Sequence, residues 1–166
     1  MQLFGPVESV YAEKHDMPGF DGFDDRFFAA LHHRSGVTSH LWASWALQGA
    51  PGPRFRIVGD DATYTAEPDD GQADRLLAGR YPSVEGDAFG TVPPERWGRL
   101  YRAEGDSGEP VPAERGRWST FYSVLAKALH GEGDLPIDPW NAVAALAVLD
   151  AARISTSRRE VVAVES

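Results

Sequence analysis

Apolar and polar residues alternate with a period of two over Asp25 to His33, Thr38 to Ala46 and Arg54 to Val58, which predicts three strands. Val7 to Lys14 has strand composition as well, and His15 to Gly22 carries Pro18, Gly19 and Gly22 as loop punctuation. Arg34-Ser35-Gly36 and Gln48 to Pro53 read as connections, and Asp60-Asp61 as a tight hairpin into a fifth strand, Ala62 to Glu67. These five segments are expected to form one meander. Beyond them, Asp70 to Ala78 suits a short helix stopped by Gly79, Arg80 to Glu95 is irregular, and Trp97 to Arg102 with Pro110 to Ala113 makes a weaker hairpin. The period then changes. Trp118, Phe121, Tyr122, Leu125 and Leu129 recur at helical spacing before Gly131, a stripe expected to be core rather than a ligand cage. Asp138-Pro139, an N-cap acid followed by proline, opens a second helix to about Arg153, and Glu160 to Val164 returns as a strand. The order predicts an α+β fold, an open and mostly antiparallel sheet with helices packed on one face.

Strict alternation divides the sheet residues into two sets. Phe27, Ala29 and Leu31, Leu41, Ala43 and Trp45, and Phe55 and Ile57 form the set expected to meet the helices. The opposite set is Arg26, Phe28 and His32, His40, Trp42 and Ser44, and Arg54 and Arg56. Cations, imidazoles and aromatics on one face suit contact with a partner subunit first and contact with a polyhydroxylated or anionic substrate second. Trp42 and Phe28 left in water would cost solubility. Arg26, Phe28, His32, His40, Trp42, Arg54 and Arg56 are therefore the candidate interface or substrate residues, and a homo-oligomer through this face is expected.

Length and composition narrow the choice. With 166 residues, one domain with its own core is expected. The net charge of −9 comes with no basic stripe, which argues against nucleic acid as a partner. No cysteine is present, so disulfides, thiolate zinc sites and cysteine nucleophiles are excluded, in keeping with a cytoplasmic location. Neither a signal peptide nor a membrane span is visible at the N-terminus. Gln2-Leu3-Phe4 before Gly5-Pro6 reads as the last turn of a helix whose body is missing, so the domain is expected to be cut from something longer.

Motifs for dinucleotide, phosphate, zinc and calcium binding and for serine hydrolysis are missing; Gly131-Glu132-Gly133 follows a helix and lacks a third glycine. His32 and His33 point to opposite faces of a strand and cannot share a metal from one side, so no metal site is expected. His15-Asp16 is a minor general-base candidate in a loop. Asp24-Asp25, Asp60-Asp61 and Asp69-Asp70 suit turns and strand ends.

Several segments together resemble the C-terminal half of Gfo/Idh/MocA dehydrogenases. They are Leu3-Phe4-Gly5-Pro6-Val7, the run Val111 to Trp118 with Phe121-Tyr122, and Leu135-Pro136-Ile137-Asp138-Pro139 before Ala151 to Ser155. The resemblance implies a complete enzyme with an N-terminal Rossmann domain for NAD or NADP, passing hydride between the nicotinamide and a sugar, cyclitol or related small molecule. It implies that the Lys of a Glu-Lys-Pro motif, and the His and Asp used in proton transfer, lie outside this chain. No catalytic or cofactor-binding residue is therefore carried over, and the chain alone is expected to be inactive. The competing expectation is a free-standing small-molecule-binding or dimerisation module without catalysis. An independent lyase or isomerase using His15, His32 or His40 with Arg26 has no motif behind it.

Overall fold

The computed structural model describes residues 3–16, 19, 24–44, 52–67 and 70–165. Where length argued for one core, these residues form two compact units. One comprises Met1–Gly49 with Ile137–Ser166, and the other, Ala50–Pro136, is inserted between its third strand and its helix. Each has its own four-stranded antiparallel sheet, and the fold is α+β.

The first unit contains β1 (Val7–Asp16), β2 (Asp24–His33), β3 (Thr38–Ser44) and the short β8 (Val162–Ala163), in the order β3-β2-β1-β8. The predicted loop at His15 begins later than its first residue, because His15 and Asp16 still pair with β2. Helix α4 (Pro139–Arg158) packs on β1. Asp138 caps it by accepting from the Trp140 N–H at 3.0 Å, as the Asp-Pro signal predicts, although the helix runs past Arg153. Val10, Ala12, Ala29 and Ala151 form the core, with Leu31 and Val162 packed against it. Three alanines among four core residues keep helix and sheet close. Ser155, fully buried, accepts from the Ala12 N–H at 2.9 Å and donates to the Glu160 carbonyl at 2.6 Å.

The second unit contains β4 (Phe55–Val58), β5 (Thr63–Ala66), β6 (Gly98–Tyr101) and β7 (Glu109–Val111), paired in chain order. The Asp60-Asp61 hairpin and the weaker β6–β7 hairpin are both present. Two short helices, α1 (Gln72–Leu77) and α2 (Pro82–Glu85), precede α3 (Trp118–Leu129). Phe89 and Val92 are buried here. So is Gln72, at 1% exposure, whose Nε2 donates to Asp70 at 2.5 Å while its Oε1 accepts from the Trp118 N–H at 3.2 Å. Arg117, the residue at the N-cap of α3, makes no side-chain cap bond, so Gln72 satisfies the helix start from 46 residues away.

Further expectations fail. The meander stops at β3: β4 pairs with β5 in the other sheet, so Phe55 and Ile57 share no face with Phe27, and both are exposed; Phe27, Leu41 and Ala43, expected to meet the helices, are exposed as well. Alternation identifies strands but not which edges pair, since pairing depends on what the intervening chain allows. Trp45 and the Gln48–Pro51 part of the connection lie outside the described residues. The apolar stripe of α3 is not core either: Trp118 is 53% exposed and Tyr122 71%, with Phe121 and Leu129 exposed as well. Helical spacing shows that a face is apolar, not what covers it. Among the described residues no helix is long and apolar enough to cross a membrane.

Candidate functional site

The β1–β2–β3 register builds the candidate face row by row. His15 stands opposite Arg26 and Arg26 opposite Ser44; Glu13, Phe28 and Trp42 form the next row; Tyr11, Ala30 and His40 the third; Ser9, His32 and Thr38 the last. Directly paired residues share a side of a sheet, so these residues lie opposite the core face of Val10, Ala12 and Ala29. Arg26, Phe28, His32, His40 and Trp42 are thus brought together as the alternation predicts. Arg54 and Arg56 are not: Arg54 precedes β4, its guanidinium 6.0 Å from the Phe55 ring centroid, and Arg56 pairs with Thr65 in the other unit. Their inclusion rested on the failed meander.

At the centre of the face three rings associate. Phe28 lies 5.7 Å from Trp42 and 5.8 Å from His40, and His40 lies 6.1 Å from Trp42, all tilted. These spacings suit attraction between aromatic rings. Trp42 is nonetheless 75% exposed, so the cluster is organised without being covered.

One end carries a charged group that sequence alone does not reveal. A register shift between His15 and Asp16 makes Asp25 the extra residue of a β-bulge, which re-aims its side chain. Asp25 accepts from the His15 ring at 2.9 Å, and the Arg26 Nε lies 3.6 Å away. His15 therefore pairs with Asp25 and not with its neighbour Asp16, which holds Lys14 at 2.7 Å. The hydrogen bond from His15, assisted by the charge of Arg26 and opposed by partial burial, holds the Asp25 carboxyl below its usual range. A lowered carboxylate value means stability that is present above the ordinary range and lost as pH falls through the folded value. Asp25→Asn is expected to flatten the acid limb of a melting-temperature profile between about pH 5 and about pH 2; an unchanged limb counts against this coupling.

His33 is different in kind. Its ring, buried, bonds the Gly5 carbonyl at 3.0 Å and the Ser39 hydroxyl at 2.8 Å, and meets Phe4 edge-on at 5.7 Å. It is structural, while His32 is exposed on the open face, as the opposite orientation of neighbours requires. Among the described residues no three ligating side chains could hold a metal ion. Among the described residues every strand pair is antiparallel.

Residues 1–65 match the family model of the GFO/IDH/MocA C-terminal domain. The chain is 30% identical over 167 residues to the scyllo-inositol 2-dehydrogenase (NADP(+)) IolW of Bacillus subtilis, covering 99% of this chain and 46% of that protein. It superimposes on the B. subtilis protein YvaA, assigned as an oxidoreductase, with a TM-score of 0.84 at 28% identity, over 99% of this chain and 47% of that one. A Klebsiella pneumoniae protein with the same assignment gives a TM-score of 0.85 at 25% identity, over 99% and 46%. The chain spans about half the length of the curated relative it matches.

Proposed function

We propose that the chain, whose residues 1–65 match the GFO/IDH/MocA C-terminal domain, is the substrate-side and oligomerisation part of an NAD(P)-dependent oxidoreductase of that family. The substrate class is a sugar, a cyclitol or a related small molecule. The observation that carries this reading is the similarity, over 99% of this chain and 46% of that protein, to a scyllo-inositol 2-dehydrogenase (NADP(+)). The nucleotide would be held by residues other than those described here, and the hydride chemistry would be the cofactor's.

The role of this chain is to present the aromatic face. Phe28, His40 and Trp42, flanked by Arg26 and His32, form the surface on which a second copy docks. A Trp with three-quarters of its surface in water at the centre of a ring cluster is the type of side chain that anchors protein contacts. Trp42→Ala is expected to weaken self-association by about tenfold or more without lowering the melting temperature; a dimer that forms equally well in the variant places the contact elsewhere.

The enzymatic reading is tested by isolating the native gene product with an antibody raised against this chain. A product about twice 18.1 kDa, reducing NADP when given scyllo-inositol or another cyclitol, supports it. A native product of 18.1 kDa overturns it, and so does nicotinamide turnover by the isolated chain.

A further inference from the structure

We propose that His15, Asp25, Arg26 and Ser44 form a binding site for a neutral, polyhydroxylated ligand at one end of the open face. The inference rests on the substrate reading above and gives it a place on this chain. His15, Arg26 and Ser44 stand in one row across three strands, which lie about 4.8 Å apart in such a sheet. Beside the row, a cavity of about 270 Å³ is lined by Asp24, Asp25, Arg26, Phe27, Ala43 and Ser44.

Asp25 orders the row. Its side chain is 9% exposed, against 51% for His15 and 55% for Arg26, so it braces two outward-facing groups from below. The His15 hydrogen bond holds its carboxyl below the usual range, and an ionised carboxylate only accepts. The His15 nitrogen 2.9 Å away, Nδ1, therefore carries the proton. Nε2 of the neutral ring is left as a bare acceptor, with no partner among the described residues. Arg26 turns its Nε toward Asp25 at 3.6 Å and keeps its Nη groups as donors.

The ligand class follows from this set of groups. A hydroxyl both donates and accepts, so a ring carrying several can donate to His15 Nε2, accept from Arg26 and do either with the Ser44 hydroxyl. Its C–H face can lie on Phe27, which is 43% exposed, and on Ala43. An anion held by Arg26 would face the carboxylates of Asp24 and Asp25, and a cation would face the guanidinium. On β1, Glu13 is engaged by the Tyr11 hydroxyl and Asp16 by Lys14, so neither adds a free charge. The cavity falls below the range of about 300–1,000 Å³ that holds drug-sized ligands, which suits a single small ring.

Imidazole-nitrogen NMR of the 166-residue chain at about pH 8, where the ring is neutral, tests the site with D-glucose and D-glucuronate as probes. The wild type is expected to show His15 protonated on Nδ1 and bare on Nε2, and millimolar glucose to shift the Nε2 signal. Asp25→Asn, whose amide can donate to Nδ1, should admit the other tautomer and weaken glucose at least about tenfold. Ser44→Ala removes an exposed hydroxyl without touching the tautomer and should weaken it at least about twofold. A proton on Nε2 in the wild type, or equal glucose binding by Asp25→Asn, overturns the role given to Asp25. A His15 signal that glucose does not move overturns the site, and tighter binding of glucuronate overturns the neutral class. Cyclitol oxidation by the native gene product, with that signal unmoved, removes this site and leaves the oxidoreductase reading standing.

Discussion

Gly116→Ala is expected to destabilise the second unit by about 2–3 kcal/mol, the cost of forcing a methyl group into a closed site. The Gly116 N–H donates to the Gly90 carbonyl at 2.9 Å, which draws two chain segments together. A Cβ on Gly116 would fall on the Asp70 carboxylate and the Gln72 amide. Neither can swing aside freely, because Gln72 is buried, bonded to Asp70 on one side and to the start of α3 on the other. The substitution should therefore loosen α3 along with the loop at Gly90. Hydrogen exchange resolved by segment is the suitable measurement, since a chain of two units need not unfold in one step. Gly133→Ala, where a Cβ meets nothing within 4 Å, is the control and should change nothing. Protection of α3 unchanged in Gly116→Ala would show that the clasp is slack.

Ser155→Ala should cost the first unit a similar amount, about 2–3 kcal/mol, through two groups left unpaired in the interior. The hydroxyl serves the Ala12 N–H and the Glu160 carbonyl at once, and no water reaches it in a residue with 0% exposure. It extends the work of β8, whose pairing with β1 covers only Ser9 and Val10 and stops short of Ala12. Faster exchange is expected in β1 and at the C-terminal end of α4. Ser157→Ala, which removes an exposed hydroxyl bonded to the Ile154 carbonyl, should be nearly neutral. Equal stability of Ser155→Ala and wild type would mean that the two backbone groups find other partners.

Neither clasp could be read in advance from the chain. Ser155 sits in a helix beside Thr156 and Ser157 and resembles any small polar residue there, and its importance comes from Ala12, 143 positions away. Gln72 is likewise an ordinary helix former whose burial depends on residues 90, 116 and 118 closing over it. Asp25 was legible as a strand-end acid but not as the partner of His15, because a bulge changes the direction of a side chain without altering composition. By contrast Phe28, His32, His40 and Trp42 fell on one face as alternation requires, since successive residues of a strand point to opposite sides whatever surrounds them.

The sequence by itself determined the elements: the strand composition of β1, the period of two in β2 to β4, the Asp60-Asp61 hairpin into β5, the helical spacing of α3, the Asp138-Pro139 start of α4 and the α+β class. Backbone geometry sets these periods locally, and so they can be read locally. Only the tertiary structure decided that β3 and β4 belong to different sheets, that Arg54 and Arg56 leave the candidate face, and that the stripe of α3 stays exposed. Those outcomes depend on long-range pairing and on what covers an apolar surface, and neither leaves a local pattern in the residues that take part.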